Sequence, residues 1–528
     1  MSAAAGTRQL ARLAARRDRI VLPVWLYALV GLAGSSAYSI RGLYPDQASR
    51  AGLVDAVGAA PTAAALYGGI LNGSLGAITG WRVGVLGSVL AAVMSILLVT
   101  RHTRAEEQNG RQELVSAGMV GRYAFLAAAL QLVLTANLLA GLGIAGVCAL
   151  FGLPAAGSFA LGLGIAGCGV VFAGLAAVTA QPTGSSRSAS GLAFTLLGVA
   201  YLVRAAGDMS TNSWLLWCSP IGWFEQVRAF GGDRWWTLAL PLAGAALLVL
   251  LAGWLLGRRD YGSGLLPARL GPDRAGPGTR GVTGLAWRLH RAQLAGWAAG
   301  LFAMGAVFGS FAKDVSAFSD SARVQKVMAE LGGTQNLADA YLVTINGLVG
   351  LLAGGYAVSV VCRARAEESG GRAEAVLAGA VTRTRWLLSH LLIAAAGSAA
   401  LLVAAGVGAG LGDGLRVHDV PGTLRTLIGA ALAQWPAVLV VAGLAVLLFG
   451  LRPTLTNAAW GPLGLFVFLG LIGPELGLSQ AVLDLSPFVQ VPRLPGGHLA
   501  AAPLCWLAAL ALCLLTAGMA GFRRRDLG

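Results

Sequence analysis

Charge is scarce in this chain, and lysine is almost missing. Asp, Glu, Lys and Arg together make 12% of 528 residues, against about a quarter in ordinary soluble domains. So few charges cannot cover the water-facing surface of a protein this long, which excludes a mostly soluble molecule. The only lysines are Lys313, after Ala312, and Lys326, after Gln325. A phosphate-binding P-loop needs Gly-Lys-Ser/Thr, because its lysine reaches the β- and γ-phosphates. The chain therefore has no Walker A motif and cannot bind ATP in that manner. Six scattered cysteines with no CxxC spacing, and five distant histidines with no HExxH, argue against a disulfide framework or a zinc site. The cysteines read better as small core residues. No nucleophile–base pair stands out, so the chain does not read as an enzyme, and the expected cofactors are none.

What is abundant is apolar. Hydrophobic residues make 56% of the chain, with 76 glycines, and the mean hydropathy is +0.71. One bilayer crossing takes about 20 apolar residues. Apolar runs lie at 20–40, 79–100, 123–151, 155–180, 191–206 and 236–256, and again at 294–311, 341–362, 386–410, 424–448, 455–472 and 499–521. Between the two sets, residues 258–291 carry Pro267, Pro272, Pro277, seven arginines and several glycines, a linker composition. The N-terminal stretch to residue 19 holds five arginines interleaved with Leu10 and Leu13, which suggests an amphipathic elbow on the membrane surface. The run that follows is too long for a cleaved signal peptide. The pattern predicts an all-α integral membrane protein of about twelve transmembrane helices. Its parts are an elbow (1–19), a six-helix half (20–257), a linker with a second elbow (258–291) and a second six-helix half (292–528).

The halves are related. Residues 104–122 read RAEEQNGRQELVSAGMVGR and residues 365–383 read RAEESGGRAEAVLAGAVTR, with twelve of nineteen positions identical. Each half also ends alike, in Arg258-Arg259-Asp260 and Arg524-Arg525-Asp526, and Ser219-Pro220 and Ser486-Pro487 precede each last span. Six spans is an even number, so the repeats are parallel. With both termini cytoplasmic, the inner loops hold 26 basic and ten acidic residues, and the outer ones 12 and 13. That distribution satisfies the positive-inside rule. The net charge of +15 thus reports topology, and nucleic acid is not an expected partner.

The repeated segment falls on the inner face between spans 2 and 3 of each half. As a continuous helix it would pair Glu107 with Arg111, and Glu368 with Arg372, at i,i+4. It would also line up Leu114, Ala117, Gly118 and Gly121 as a small-residue stripe, repeated by Ala375, Ala378, Gly379 and Thr382. One copy alone would suit a charged helix resting at the interface; two copies in otherwise divergent halves favour a docking element. The glycines of span 4 (Gly157, Gly162, Gly164, Gly167, Gly169, Gly174) and the Gly350/Gly354 and Gly406/Gly410 pairs read as close helix packing. Asn137, Asn346, Gln434 and Asn457 are polar within spans. Asp208, Asp339 and Glu475 lie near outer ends, so no carboxylate sits deep in a predicted span.

Two six-span bundles with elbows and an RxEExxGRxE segment between spans 2 and 3 resemble the ABC-2 type exporters. Within these, the chain is most similar to the actinobacterial branch with a fused two-repeat permease, described as exporters of polyketide antibiotics. The resemblance implies that the segment is a coupling helix docking on a separate ABC ATP-binding subunit, two copies per chain, which would hold the ATP and Mg. It assigns docking to Arg104, Glu106, Glu107, Gly110, Arg111 and Glu113, and to Arg365, Glu367, Glu368, Gly371, Arg372 and Glu374. It implies a path for a hydrophobic small-molecule substrate along spans 2 and 5 of each half, which nominates Met94, Ser95, Phe194, Tyr201, Tyr341, Asn346, Asn457 and Trp460. It also implies a re-entrant outer element around each Ser-Pro pair. Two other classes compete. A secondary transporter of the major facilitator type would want intramembrane carboxylates. A membrane-embedded lipid-linked glycosyltransferase would want one acidic pair rather than two symmetric ones.

Overall fold

The computed structural model describes residues 5–58, 66–116, 120–209, 214–260, 262–266, 276, 281–317, 337–471 and 479–525. The chain divides into two compact units, Met1–Gly271 and Pro272–Gly528. The division falls inside the Pro/Gly-rich segment. Among the described residues eleven helices are long and apolar enough to cross a membrane. Helices satisfy every backbone donor and acceptor within one segment, which a hydrocarbon solvent requires.

In the first unit the elbow is the helix Thr7–Arg17. It ends at Asp18, whose buried carboxylate meets Arg101 (3.1 Å) and His102 (2.5 Å) at the foot of span 2. Chain direction changes there, and Val21–Leu43 forms span 1, with Pro23 in its first turn. Span 2, Leu75–His102, is capped by Ser74, whose hydroxyl accepts the Ala77 N–H. Spans 3 and 4, Ala124–Leu150 and Ala155–Thr179, form a tight hairpin. A methyl group on Gly162 would stand 2.1 Å from the Gly141 carbonyl oxygen, so the two backbones touch where both residues lack a side chain. Spans 5 and 6 are Ser186–Met209 and Ala239–Gly257. Leu247, Leu250 and Trp254 of span 6 are exposed, as side chains facing lipid would be. Between spans 5 and 6, Ser219 caps the short helix Pro220–Gln226.

The second unit differs at its start. Residues 281–291, expected within a separate elbow, belong to one 37-residue helix, Gly281–Ala317. The first half breaks at Asp18 and has Pro23 just beyond. The corresponding Leu289-His290-Arg291-Ala292-Gln293 has no proline or capping residue, and the helix runs on. Leu337–Ser369 and Arg383–Val417 follow. Next come Val420–Leu432 and Trp435–Leu451, separated by a break at Ala433-Gln434. Gly406 and Gly410 pack directly on the backbone of Val420–Leu432. The span expected at 455–472 begins as a 3-10 segment, Pro453–Ala459, and continues as the helix Trp460–Leu471; residue 472 and Glu475 lie outside the described residues. Ala501–Arg524 is the last span. The Ser486-Pro487 stretch is a series of turns rather than a helix. Most of the charged outer loop expected at 313–339 also lies outside the described residues.

Candidate functional site

Each copy of the repeated segment is two helices, not one. In the first half, Arg104–Gln108 and Arg111–Ser116 are separated by Asn109 and Gly110. In the second, span 2 runs to Ser369 and Arg372–Leu377 starts anew after Gly371. Gly110 and Gly371 take φ of 70° and 71°, a left-handed conformation that favours glycine. Their N–H groups close the same turn, to the carbonyls of Glu107 and Glu368 respectively. The expected i,i+4 pairs are therefore not formed. The turn instead swings Arg111 back towards Glu106 (3.6 Å) and Arg372 towards Glu367 (2.6 Å), an i,i+5 relation in both copies. Hydrogen bonding to Glu367 raises the pKa of the Arg372 guanidinium above its usual value.

Glu107 and Glu368 face inward. Glu107 accepts from both terminal nitrogens of Arg259 (2.5 and 2.8 Å), from Arg104 (2.8 Å) and from the Gly262 N–H (2.8 Å). Arg259 also donates through Nε to Gln181 (2.8 Å). Arg104, Glu107 and Arg259 are all buried. In the second half Glu368 meets Arg525 (2.8 Å) and, less closely, Arg365 (3.8 Å). Arg122 donates to the Arg259 carbonyl, and Arg383 to the Arg525 carbonyl. Two separately repeated motifs, the inter-span segment and the Arg-Arg-Asp that ends each half, thus lock together the same way twice.

The segment therefore divides by role. Arg104, Glu107, Glu367 and Glu368 are buried, and Glu107 and Glu368 hold the segment against its own bundle, while Glu106 is partly covered by Arg17 of the elbow and by Arg111. Arg111 and Glu113 in one copy, and Gly371, Arg372 and Glu374 in the other, are exposed, and Gly110 is half-buried. Ala375, Ala378, Gly379 and Thr382 are exposed as well. The side chain of Leu114, and Ala117 and Gly118, lie outside what the structure describes, so only the second stripe is visible.

The residues nominated for a substrate path fall in different environments. Met94 and Ser95 are fully buried inside the first bundle, and neither side chain reaches a surface. Ser95 accepts from Asn137 (2.9 Å) and donates to the Ala91 carbonyl (2.8 Å), a helix–helix contact. Phe194 and Tyr201 are half-buried, and the Tyr201 hydroxyl donates to Leu66 O (3.2 Å). Tyr341 donates to Phe308 O (3.1 Å), and Asn346 donates to Leu494 O (3.3 Å). Asn457 and Trp460 are exposed.

A cluster at the Asp208 end of span 5 was not found from the sequence. Arg204, fully buried in span 5, donates to Glu225 (3.0 Å) and faces Asp208 (3.5 Å), one helical turn away. Its guanidinium also lies over the Tyr201 ring. The i,i+4 spacing of Arg204 and Asp208 was visible, but Glu225 arrives only through the capped turn at Ser219-Pro220.

Two sets of apolar membrane-crossing helices, each carrying the same buttressed polar segment, define a two-repeat, multi-pass membrane protein. Residues 280–523 match the family described as the C-terminal domain of the multidrug efflux system permease Rv1217c. Over 524 residues the chain is 45% identical to the multidrug efflux system permease protein Rv1217c of Mycobacterium tuberculosis, covering 99% of this chain and 95% of that protein. The chain belongs to this family of efflux permeases, multi-pass proteins of the bacterial plasma membrane.

Proposed function

We propose that the chain is the membrane subunit of an ATP-binding cassette exporter that moves hydrophobic or amphipathic compounds, drugs among them, out of the cell. Two copies of a separate ATP-binding subunit supply the energy, one docked on each repeated segment, with ATP and Mg held in those subunits. The observation that carries this reading is the segment itself. An identical glycine turn in each half presents Arg111 and Glu113, or Arg372 and Glu374, to solvent, while buried ion pairs fasten the segment to the bundle. An element that is rigid on one side and charged and open on the other can pass a partner's movement into the spans. The arginine distribution supports a cytoplasmic position for it, where ATP is.

For the substrate, Trp460 and Asn457 are exposed and offer contact area without fixed charge. The nominations at Phe194, Tyr201, Tyr341 and Asn346 stay part of the proposal, and Met94 and Ser95 would take part only if spans 2 and 3 part. The test is drug-stimulated ATP hydrolysis by the reconstituted complex. Asn457→Ala and Trp460→Ala are expected to blunt stimulation while basal hydrolysis persists. Wild-type stimulation in both, across a panel of hydrophobic drugs, would remove these residues from the path.

A further inference from the structure

A cavity of about 590 Å³ lies where the elbow, the repeated segment and span 3 of the first unit meet. Leu10, Leu13, Phe125 and Ala129 give it an apolar lining, and Arg16, Arg17 and Arg111 stand around it with a single carboxylate, Glu106. The second unit has the same pocket. Val282, Leu285, Ala286 and Leu289 stand where the first has Leu10, Leu13, Ala14 and Arg17, all at one sequence offset. Glu367, Arg372, Trp386 and His390 stand for Glu106, Arg111, Phe125 and Ala129 at another. There the volume is only about 190 Å³. Trp386 replaces a smaller ring and His390 replaces a methyl group, the two pack edge to face, and Leu289 replaces a cation. One copy of the duplicated pocket is filled and has leucine in place of the Arg17 cation, while the other is open and more basic.

We propose that the open copy binds one anionic phospholipid of the inner leaflet. The phosphate would sit among Arg16, Arg17 and Arg111, and the upper part of an acyl chain along Leu13, Phe125 and Ala129. Three observations select this ligand. The lining carries three arginines against one carboxylate, and Arg17 and Arg111 share Glu106, so positive charge is left over for an anion. The elbow is amphipathic, and its arginines place the site at the cytoplasmic membrane surface, where anionic headgroups are. Leu13 is 60% exposed beside the cavity, an apolar side chain open to the bilayer. A water-soluble anion would have no use for the apolar lining, and a neutral drug none for the arginines.

The test is native mass spectrometry of the full-length chain released from nanodiscs of equal phosphatidylglycerol and phosphatidylcholine. Wild type is expected to retain one phosphatidylglycerol in preference to phosphatidylcholine. Arg16→Gln, at an exposed position, is expected to lower that retention about fivefold, since one interfacial arginine contributes about 1 kcal/mol. Phe125→Trp with Ala129→His, which installs the second half's side chains, is expected to abolish the preference. Equal retention of the two lipids by wild type, or wild-type retention in Arg16→Gln, overturns the proposal. So does a hydrophobic drug that displaces the bound lipid from wild type and Arg16→Gln alike, since the cavity would then be a drug site. If the double variant fails to fold, Arg16→Gln decides alone.

Discussion

Glu107 and Arg259 form a two-bond ion pair across 152 residues of sequence, and the pair is buried. It ties the end of span 2 to the end of span 6, so the repeated segment cannot shift without moving the last span of its half. Glu368 and Arg525 make the corresponding link in the second half through one bond.

Removing one partner of a buried pair leaves the other charge without compensation, a loss on the order of 3–5 kcal/mol. Glu107→Ala is expected to destabilise the chain strongly, because both Arg104 and Arg259 would be stranded. Glu368→Ala is expected to cost less, since Arg525 and Arg365 keep some contact with solvent. Melting of detergent-solubilised protein, followed by fluorescence-detected gel filtration, checks the order. Equal losses would contradict the asymmetry.

Gly110 and Gly371 have open space around them, with no atom within 4 Å of an added methyl group. Only the positive φ opposes substitution. Gly110→Ala and Gly371→Ala are each expected to cost about 1 kcal/mol. Asparagine, which tolerates the left-handed region, should be milder than alanine at the same site. Thermal stability of the four single variants measures this, and alanine no worse than asparagine would argue against the turn.

The orientation is testable by cysteine labelling in intact cells, in a background without the exposed Cys218, Cys505 and Cys513. Gly73→Cys, exposed and unhindered, should react with an impermeant reagent from outside, whereas Gln108→Cys should not. Gly231 is a poor probe, because an added methyl group would meet Leu71 at 2.6 Å. Labelling of Gln108→Cys from outside would reverse the topology.

Much of this was legible in the sequence because it is local. Span positions follow from runs of apolar residues, the duplication from direct comparison of 104–122 with 365–383, and the first elbow from arginines spaced around Leu10 and Leu13. The break at Gly110 was harder to read, since glycine inside a helical pattern signals a turn only when its φ is known. The pairing of Glu107 with Arg259 was not legible at all. Both repeated motifs stood out, but nothing short of the folded bundle says that two segments so far apart meet. For the same reason the motif read as one docking surface, whereas burial splits it into residues that hold and residues that face out. The plugging of the second-half pocket by Trp386 and His390 likewise depends on which helices are neighbours.

The central claim is that the outward residues of both segments receive a separate ATPase, and co-purification tests it most directly. The chain expressed with its ATP-binding partner should yield one permease with two ATPase subunits, and the chain alone should hydrolyse no ATP. Arg111→Glu or Arg372→Glu should each release one ATPase subunit, and together both, with the permease still eluting as a single folded species although the pairs with Glu106 and Glu367 are lost. A double variant that still carries two ATPase subunits and full ATP hydrolysis would contradict the account.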